Sequence, residues 1–92
     1  MADSIMQDSR ECYITGTTDG IVKHHIYAGG RRETSDDWGC WVWLRWDWHN
    51  GKNYAVHFNK ELDLKLKREC QKRFEKLYGH EKFMEVFGKS WL

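Results

Sequence analysis

Five histidines are spread over 92 residues, and four of them precede the longest helical stretch. His24 and His25 stand side by side inside the apolar, β-branched run "IVKHHIY". His49 is followed by Asn50, and His57 by Phe58 and Asn59. Neighbouring residues in a strand point to opposite faces. One imidazole of the doublet can therefore join a ligand set while the other faces elsewhere, free to act as a base. Neutral imidazoles bind zinc and related divalent ions, and strands and tight turns hold such ligands rigidly. An imidazole also changes charge between about pH 6 and 7, which suits a general base. The pattern predicts one shared site built from the doublet, His49 and His57. His80 follows Gly79 at a helix start and reads as a surface or capping residue.

Strands, turns and a helix must hold these side chains. Residues 12–14 are expected to form a short extended piece, with "TGTTDG" as the turn and residues 21–28 as a strand. "GGRRETSDDWG" reads as a polar, flexible loop. The aromatic run "CWVWLRWDW" reads as a second strand, "HNGKN" as a turn, and "YAVHF" as a short strand or extended link. The clearest element comes next. Asn59 is a candidate N-cap with Glu61 and Asp63 in the first turn. Leu62, Leu66, Cys70, Phe74 and Leu77 follow a helical stripe, Lys76 sits in the last turn, and Gly79 suits the residue after the helix. A short final helix is expected over His80–Phe87. The expected organisation is a flexible tail over residues 1–10 and one α+β domain over 11–92. Within it, residues 11–58 form the metal-site region and 59–92 the helical region.

Composition narrows the setting. With 40% hydrophobic residues and 15% aromatic, the chain is suited to a globular domain. A domain this small often needs a metal, a disulfide or a partner chain to be stable. Three cysteines (Cys12, Cys40 and Cys70) without a CxxC pair argue against a disulfide framework and for a reducing, cytoplasmic setting. The acidic start "MADSIMQDSR" has no apolar centre and predicts no signal peptide, and no apolar run is long enough for a membrane span. Charge is uneven. The first twenty residues set Asp3, Asp8, Glu11 and Asp19 against Arg10, whereas the helical region carries Lys65, Arg68, Lys72 and Lys76 on one side. Such a basic stripe is a pointer to phosphate, though it also suits a solvated helix face. Six tryptophans are many for so small a core, which predicts that some reach a surface or interface.

"HHI", a glycine-rich loop, an apolar strand, then "HN" and a further histidine resemble the HNH (ββα-metal, His-Me finger) nucleases over residues 12–60. The likeness is greatest to the short HNH-type proteins of bacteriophages and prophages. The resemblance implies a small ββα-metal domain, here with a long C-terminal helix and a short final one. It makes His24, His49 and His57 metal ligands and His25 the general base, with Asn50 or Asn53 as further ligand or orienting residues. The implied cofactor is one divalent ion: Mg, Mn, Zn or Ni. Arg31 and Arg32 in the loop, and Lys65, Arg68 and Lys72 on the helix, are the candidate phosphate-binding residues. The implied partner is DNA, read with weak sequence preference, in a bacterial host cytoplasm; no membrane is expected.

Two departures from the family pattern stand out. Many members carry a structural zinc knuckle of four cysteines; here Cys12 remains, while Thr15, Arg45 and Trp48 occupy the other places. The asparagine that usually opens the second strand and orients the base is replaced by Cys40. These departures keep two other readings open. One is a catalytically weak scaffold, a phage-encoded inhibitor that binds a host defence nuclease through a tryptophan-rich surface. The other is a zinc module that only recognises DNA.

Overall fold

The computed structural model describes residues 2–51 and 54–92. Strands β1 (Ile21–His25) and β2 (Trp41–Arg45) pair antiparallel, with His24 opposite Val42 and His25 opposite Trp41. A 3-10 turn, Gly29–Arg31, and helix α1 (Arg32–Asp37) connect them. After β2 the chain winds through a π-helical turn, Asp47–Gly51, then enters α2 (Lys60–Tyr78) and α3 (His80–Phe87). This is a small α+β fold.

The core is where sheet and helices meet. Val42 and Leu44 of β2 are fully buried with Leu66, Cys70 and Phe74 of α2 and Phe83 of α3. The stripe expected on α2 is the one that packs, except that Leu77 near its end is exposed. Asn59 caps α2 as expected, its side chain accepting a hydrogen bond from Leu62 N at 3.1 Å. Replacing Asn59 with Ala should cost about 1 kcal/mol, read as a lowered urea midpoint with unchanged slope. An unchanged midpoint would leave the cap without energetic weight. All three cysteines are buried and free. Among the described residues, no helix is long and apolar enough to cross a membrane.

Several local expectations are corrected. Both strands are shorter than their apolar runs. The first stops at His25 because Tyr27 turns away, its backbone N–H donating to Ser35 Oγ and its carbonyl accepting from the same hydroxyl. The second stops at Arg45, where the chain coils. "GGRRETSDDWG" is not a loose loop; it contains α1, closed by Gly39 at φ 72° and held by Trp38 against Phe74 and Tyr78. Residues 12–14 form a turn rather than a strand, although Tyr13 N donates to Trp43 O on the edge of β2. "YAVHF" is also a succession of turns.

Residues 2–10 do not hang free. Met6 is buried, Ile5 N donates to Gly39 O at 2.9 Å, and Arg73 Nη1 donates to Met6 O at 2.6 Å. At Gly39 the backbone of Asp3 lies so near that a Cβ would collide with its carbonyl. This segment covers the tryptophan face of the sheet: Trp41 Nε1 donates to Ala2 O, and Arg10 stacks over Trp43. The tryptophan surplus is thus absorbed largely within the chain. Of the six, only Trp46 is exposed, at 50%.

Candidate metal centre

Alternation along β1 gives the doublet two directions. His24 faces the same side as Val42 and is buried; His25 and Lys23 face the other side with Trp41 and Trp43 as cross-strand neighbours. The π-helical turn after β2 lifts His49, and the turn before α2 lifts His57, toward His24. Ligand atoms of the three imidazoles all lie within 4.8 Å of one another, close enough to hold a metal ion. Ring centroids are 5.4 Å apart for His24 and His49, 5.5 Å for His24 and His57, and 4.6 Å for His49 and His57.

Two features fit this trio to an ion. The Nε2 atoms of His49 and His57 lie 3.1 Å apart. Two nitrogens bound tetrahedrally at about 2.0–2.1 Å would lie about 3.3 Å apart, so the pair already has almost the spacing of co-ligands. His24 Nε2 is buried and has no hydrogen-bond partner among the described residues. Leaving a polar atom in that state costs about 1–3 kcal/mol unless something binds it. Burial, with the neighbouring His49 and His57 adding repulsion, pushes the His24 pKa down to about 3. Burial likewise lowers that of His49, and the charges of His57 and Arg32 act in the same direction. Both rings are thereby kept neutral, the state a metal requires.

The seven-residue spacing between His49 and His57 does not prevent closure, because Val56 N donates to Trp48 O at 2.7 Å and draws the two ends together. Asn50 is exposed at the tip of the turn and is not part of the trio. Asn53 lies outside the described residues.

His25 lines the same cleft, of about 330 Å³, with the trio, Lys23 and Arg32. Among the described residues, neither Cys40 nor an asparagine orients it. The Cys40 side chain is in the core, its thiol pushed up by a hydrogen bond with Cys70 and by burial, while its carbonyl accepts from Ile26 N. What touches His25 is Asp36 of α1: His25 Nε2 to Asp36 Oδ1 is 3.1 Å. Sequence reading missed Asp36 because it stands in a polar stretch with no apolar period. The signal was the pair Trp38-Gly39, a half-buried aromatic anchor and a helix stop just after it.

The phosphate candidates divide. The Arg32 side chain lines the cleft and makes no hydrogen bond or ion pair among the described residues, its backbone N–H alone donating to Gly29 O. Arg31 is committed to the C-terminal segment, its Nε donating to Phe87 O and its guanidinium 5.7 Å from the Trp91 ring centre. Lys65, Arg68 and Lys72 are exposed on the face of α2 opposite Leu66, Cys70 and Phe74, along a groove that contains no histidine. The α2 cation whose charge reaches His24 is Lys67 instead. His80 is exposed and bonds Glu75 Oε2 at 2.7 Å, as a surface residue would.

At the four positions that the resemblance would make a zinc knuckle, hydrogen bonds, an ion pair and stacking are found. Cys12 Sγ accepts from Thr15 N at 3.4 Å. Burial would raise the Cys12 thiol, but hydrogen bonds from the Thr15 side chain and from the backbone of Arg45, Thr15 and Ile14 bring it below its usual value. Arg45 pairs with Asp47 at 3.4 Å, and Trp48 packs on Tyr54 with ring centres 4.5 Å apart. No protein-family model, no curated protein and no solved structure matches this chain, and the chemistry of the site rests on its own residues.

Proposed function

We propose that this chain is a metal-dependent phosphodiesterase that cuts or nicks DNA, in the manner of the HNH nucleases its histidines resemble. The observation that carries the reading is the cleft itself: three converging imidazoles, one of them buried and unpartnered, share it with a fourth imidazole outside the ligand set and with Arg32. His24, His49 and His57 would hold one divalent ion. Three nitrogen donors suit Zn or Ni better than Mg, which prefers oxygen ligands. When bound, the ion stabilises charge on the phosphoryl group and on the departing oxygen. His25 takes the proton of the attacking water as its oxygen bonds to phosphorus. The bond from phosphorus to the 3′ oxygen breaks, and that oxygen is protonated from solvent. Arg32 offers a guanidinium fork to a phosphate in the cleft.

Plasmid nicking by chelator-stripped protein, with Mg, Mn, Zn or Ni added singly, tests the reading. Cleavage in at least one metal, lost again with excess chelator, is expected; none in any metal would overturn it. The alternative, an inactive scaffold binding a defence nuclease through a tryptophan face, has less to stand on, because that face is covered by residues 2–10.

The cations give a second test. Replacing Arg32 with Gln should weaken DNA binding and flatten the slope of log affinity against log salt by about 0.9, the value of one phosphate contact. Replacing Lys65, Arg68 and Lys72 together with Gln should leave that slope nearly unchanged, because the groove they line shares no residue with the cleft. A slope that falls by about 3 in the triple variant would place the backbone on α2 instead.

A further inference from the structure

Asp36 Oδ1 is shared by two donors, His25 Nε2 and Lys23 Nζ, each at 3.1 Å. Lys23 and His25 are two residues apart on β1 and so share a face, and α1 holds the carboxylate over it. The Lys23 ammonium also sits 4.2 Å from the centre of the Trp41 ring. The hydrogen bond from Lys23, and then that from His25, hold the Asp36 carboxyl below the usual carboxylate range. The His25 ring lines two adjoining clefts: one it shares with Asp36, Glu33 and Gly30, the other with His24, His49 and His57.

An ionised carboxylate only accepts hydrogen bonds, so the ring nitrogen facing it must carry the proton. With Nε2–H committed to Asp36, the lone pair of the neutral ring is on Nδ1. We propose that Asp36 is a positioning residue that fixes His25 as the Nε2–H tautomer and makes Nδ1 the atom that takes the proton. The catalytic half of this inference rests on the nuclease reading; the tautomer half does not. In the reaction, the water oxygen bonds to phosphorus, the bond to the 3′ oxygen breaks, and the water proton moves to Nδ1. Nε2–H stays on Asp36, whose charge stabilises the imidazolium and which does not itself become protonated. Histidine–carboxylate pairs act in this way when they set both tautomer and ring angle.

Lys23 makes the inference testable by conservative substitution. Lysine is only a donor, so an asparagine at position 36 would turn its oxygen toward Lys23 and still accept from Nε2–H. Asp36→Asn should therefore keep the tautomer, whereas Asp36→Ala should lose it. The experiment is imidazole ¹⁵N NMR on metal-free protein at about pH 8, where an ordinary imidazole is neutral. The wild type should show His25 as a single Nε2–H tautomer with an exchange-protected ring proton. Asp36→Ala should show mixed tautomers and no protected proton, and Asp36→Asn should resemble wild type. In cleavage, Asp36→Ala should lower kcat by about 10–100-fold with KM and metal affinity unchanged, partly restored in Asp36→Asn. An Nδ1–H tautomer in the wild type, or spectra unaltered by Asp36→Ala, overturns the inference. Equal kcat for wild type and Asp36→Ala overturns its catalytic half while the nuclease reading stands. Absence of cleavage in every metal, with the tautomer still following Asp36, overturns the nuclease reading and the catalytic half, and keeps the tautomer half.

Discussion

Replacing His25 with Ala should remove DNA cleavage and leave metal binding nearly intact, whereas replacing His24 with Ala should lower both together. The difference follows from strand alternation. His24 points into the trio and is buried; His25 points to the other face and is held by Asp36. No ligand atom of His25 belongs to the set that lies within 4.8 Å. Loss of a general base costs about 10²–10⁴-fold in rate, equivalent to roughly 3–5 kcal/mol of transition-state stabilisation. Loss of a ligand acts earlier, by emptying the centre. Calorimetric titration of each variant with Zn or Ni, beside plasmid nicking under the same conditions, separates the two. Equal loss of metal affinity in both variants would make the doublet a structural clamp and sink the division of labour. Wild-type cleavage by His25→Ala would remove the base role alone.

How much of this could be read from the sequence depends on what each element is made of. The α2 helix announces itself because its packing stripe, its acidic first turn and its asparagine cap agree with one another. The bounds of α3 follow from Gly79 and Gly88 and from Phe83 and Phe87 between them. The trio was legible because histidine is scarce and its spacing fell on strand and turn positions. Helix α1 was not legible. Its six residues bury only Ser35, so no apolar period marks it, and its place is set by Trp38, Gly39 and the hydroxyl of Ser35 on Tyr27. Asp36 was missed for the same reason, since its partner His25 is brought near by the fold and not by spacing. The N-terminal segment was misread because its ties are hydrogen bonds that each use a backbone group and only two apolar anchors, Ile5 and Met6, which leave little trace in composition. The runs that overshot their strands did so because aromatic and β-branched residues continue past the point where backbone pairing stops.

Metal should stabilise the folded chain strongly, and acid should remove both that gain and part of the stability of the metal-free form. The sign of the acid effect follows from His24. Its pKa is lowered from 6.5 to about 3 in the folded state. Above about pH 6.5 both folded and unfolded chains are neutral at this position, and pH has no leverage there. Below that, the unfolded chain takes up a proton that the folded chain refuses until about pH 3. Stability therefore falls as pH falls across this window, by about 1.4 kcal/mol per unit. His49, lowered in the same direction by burial first, adds to the slope. A metal reverses the penalty, because it gives the buried, unpartnered His24 nitrogen a bond and replaces the contact between the His49 and His57 nitrogens. At about 1,000 times Kd the gain is about 4 kcal/mol, on the order of 15–30 °C in Tm for a domain this size. His24→Leu provides the control. Leucine needs no hydrogen bond at a buried site facing Val42. This variant should be as stable as wild type or more so without metal, should lose the metal-induced rise in Tm, and should show a flatter acid limb between pH 6.5 and 3. Thermal unfolding at several pH values, with chelator and with Zn, reads all three. A metal-induced rise that survives His24→Leu would mean the ion binds elsewhere. A metal-free His24→Leu chain much weaker than wild type at neutral pH would mean that His24 is there for packing rather than for the metal.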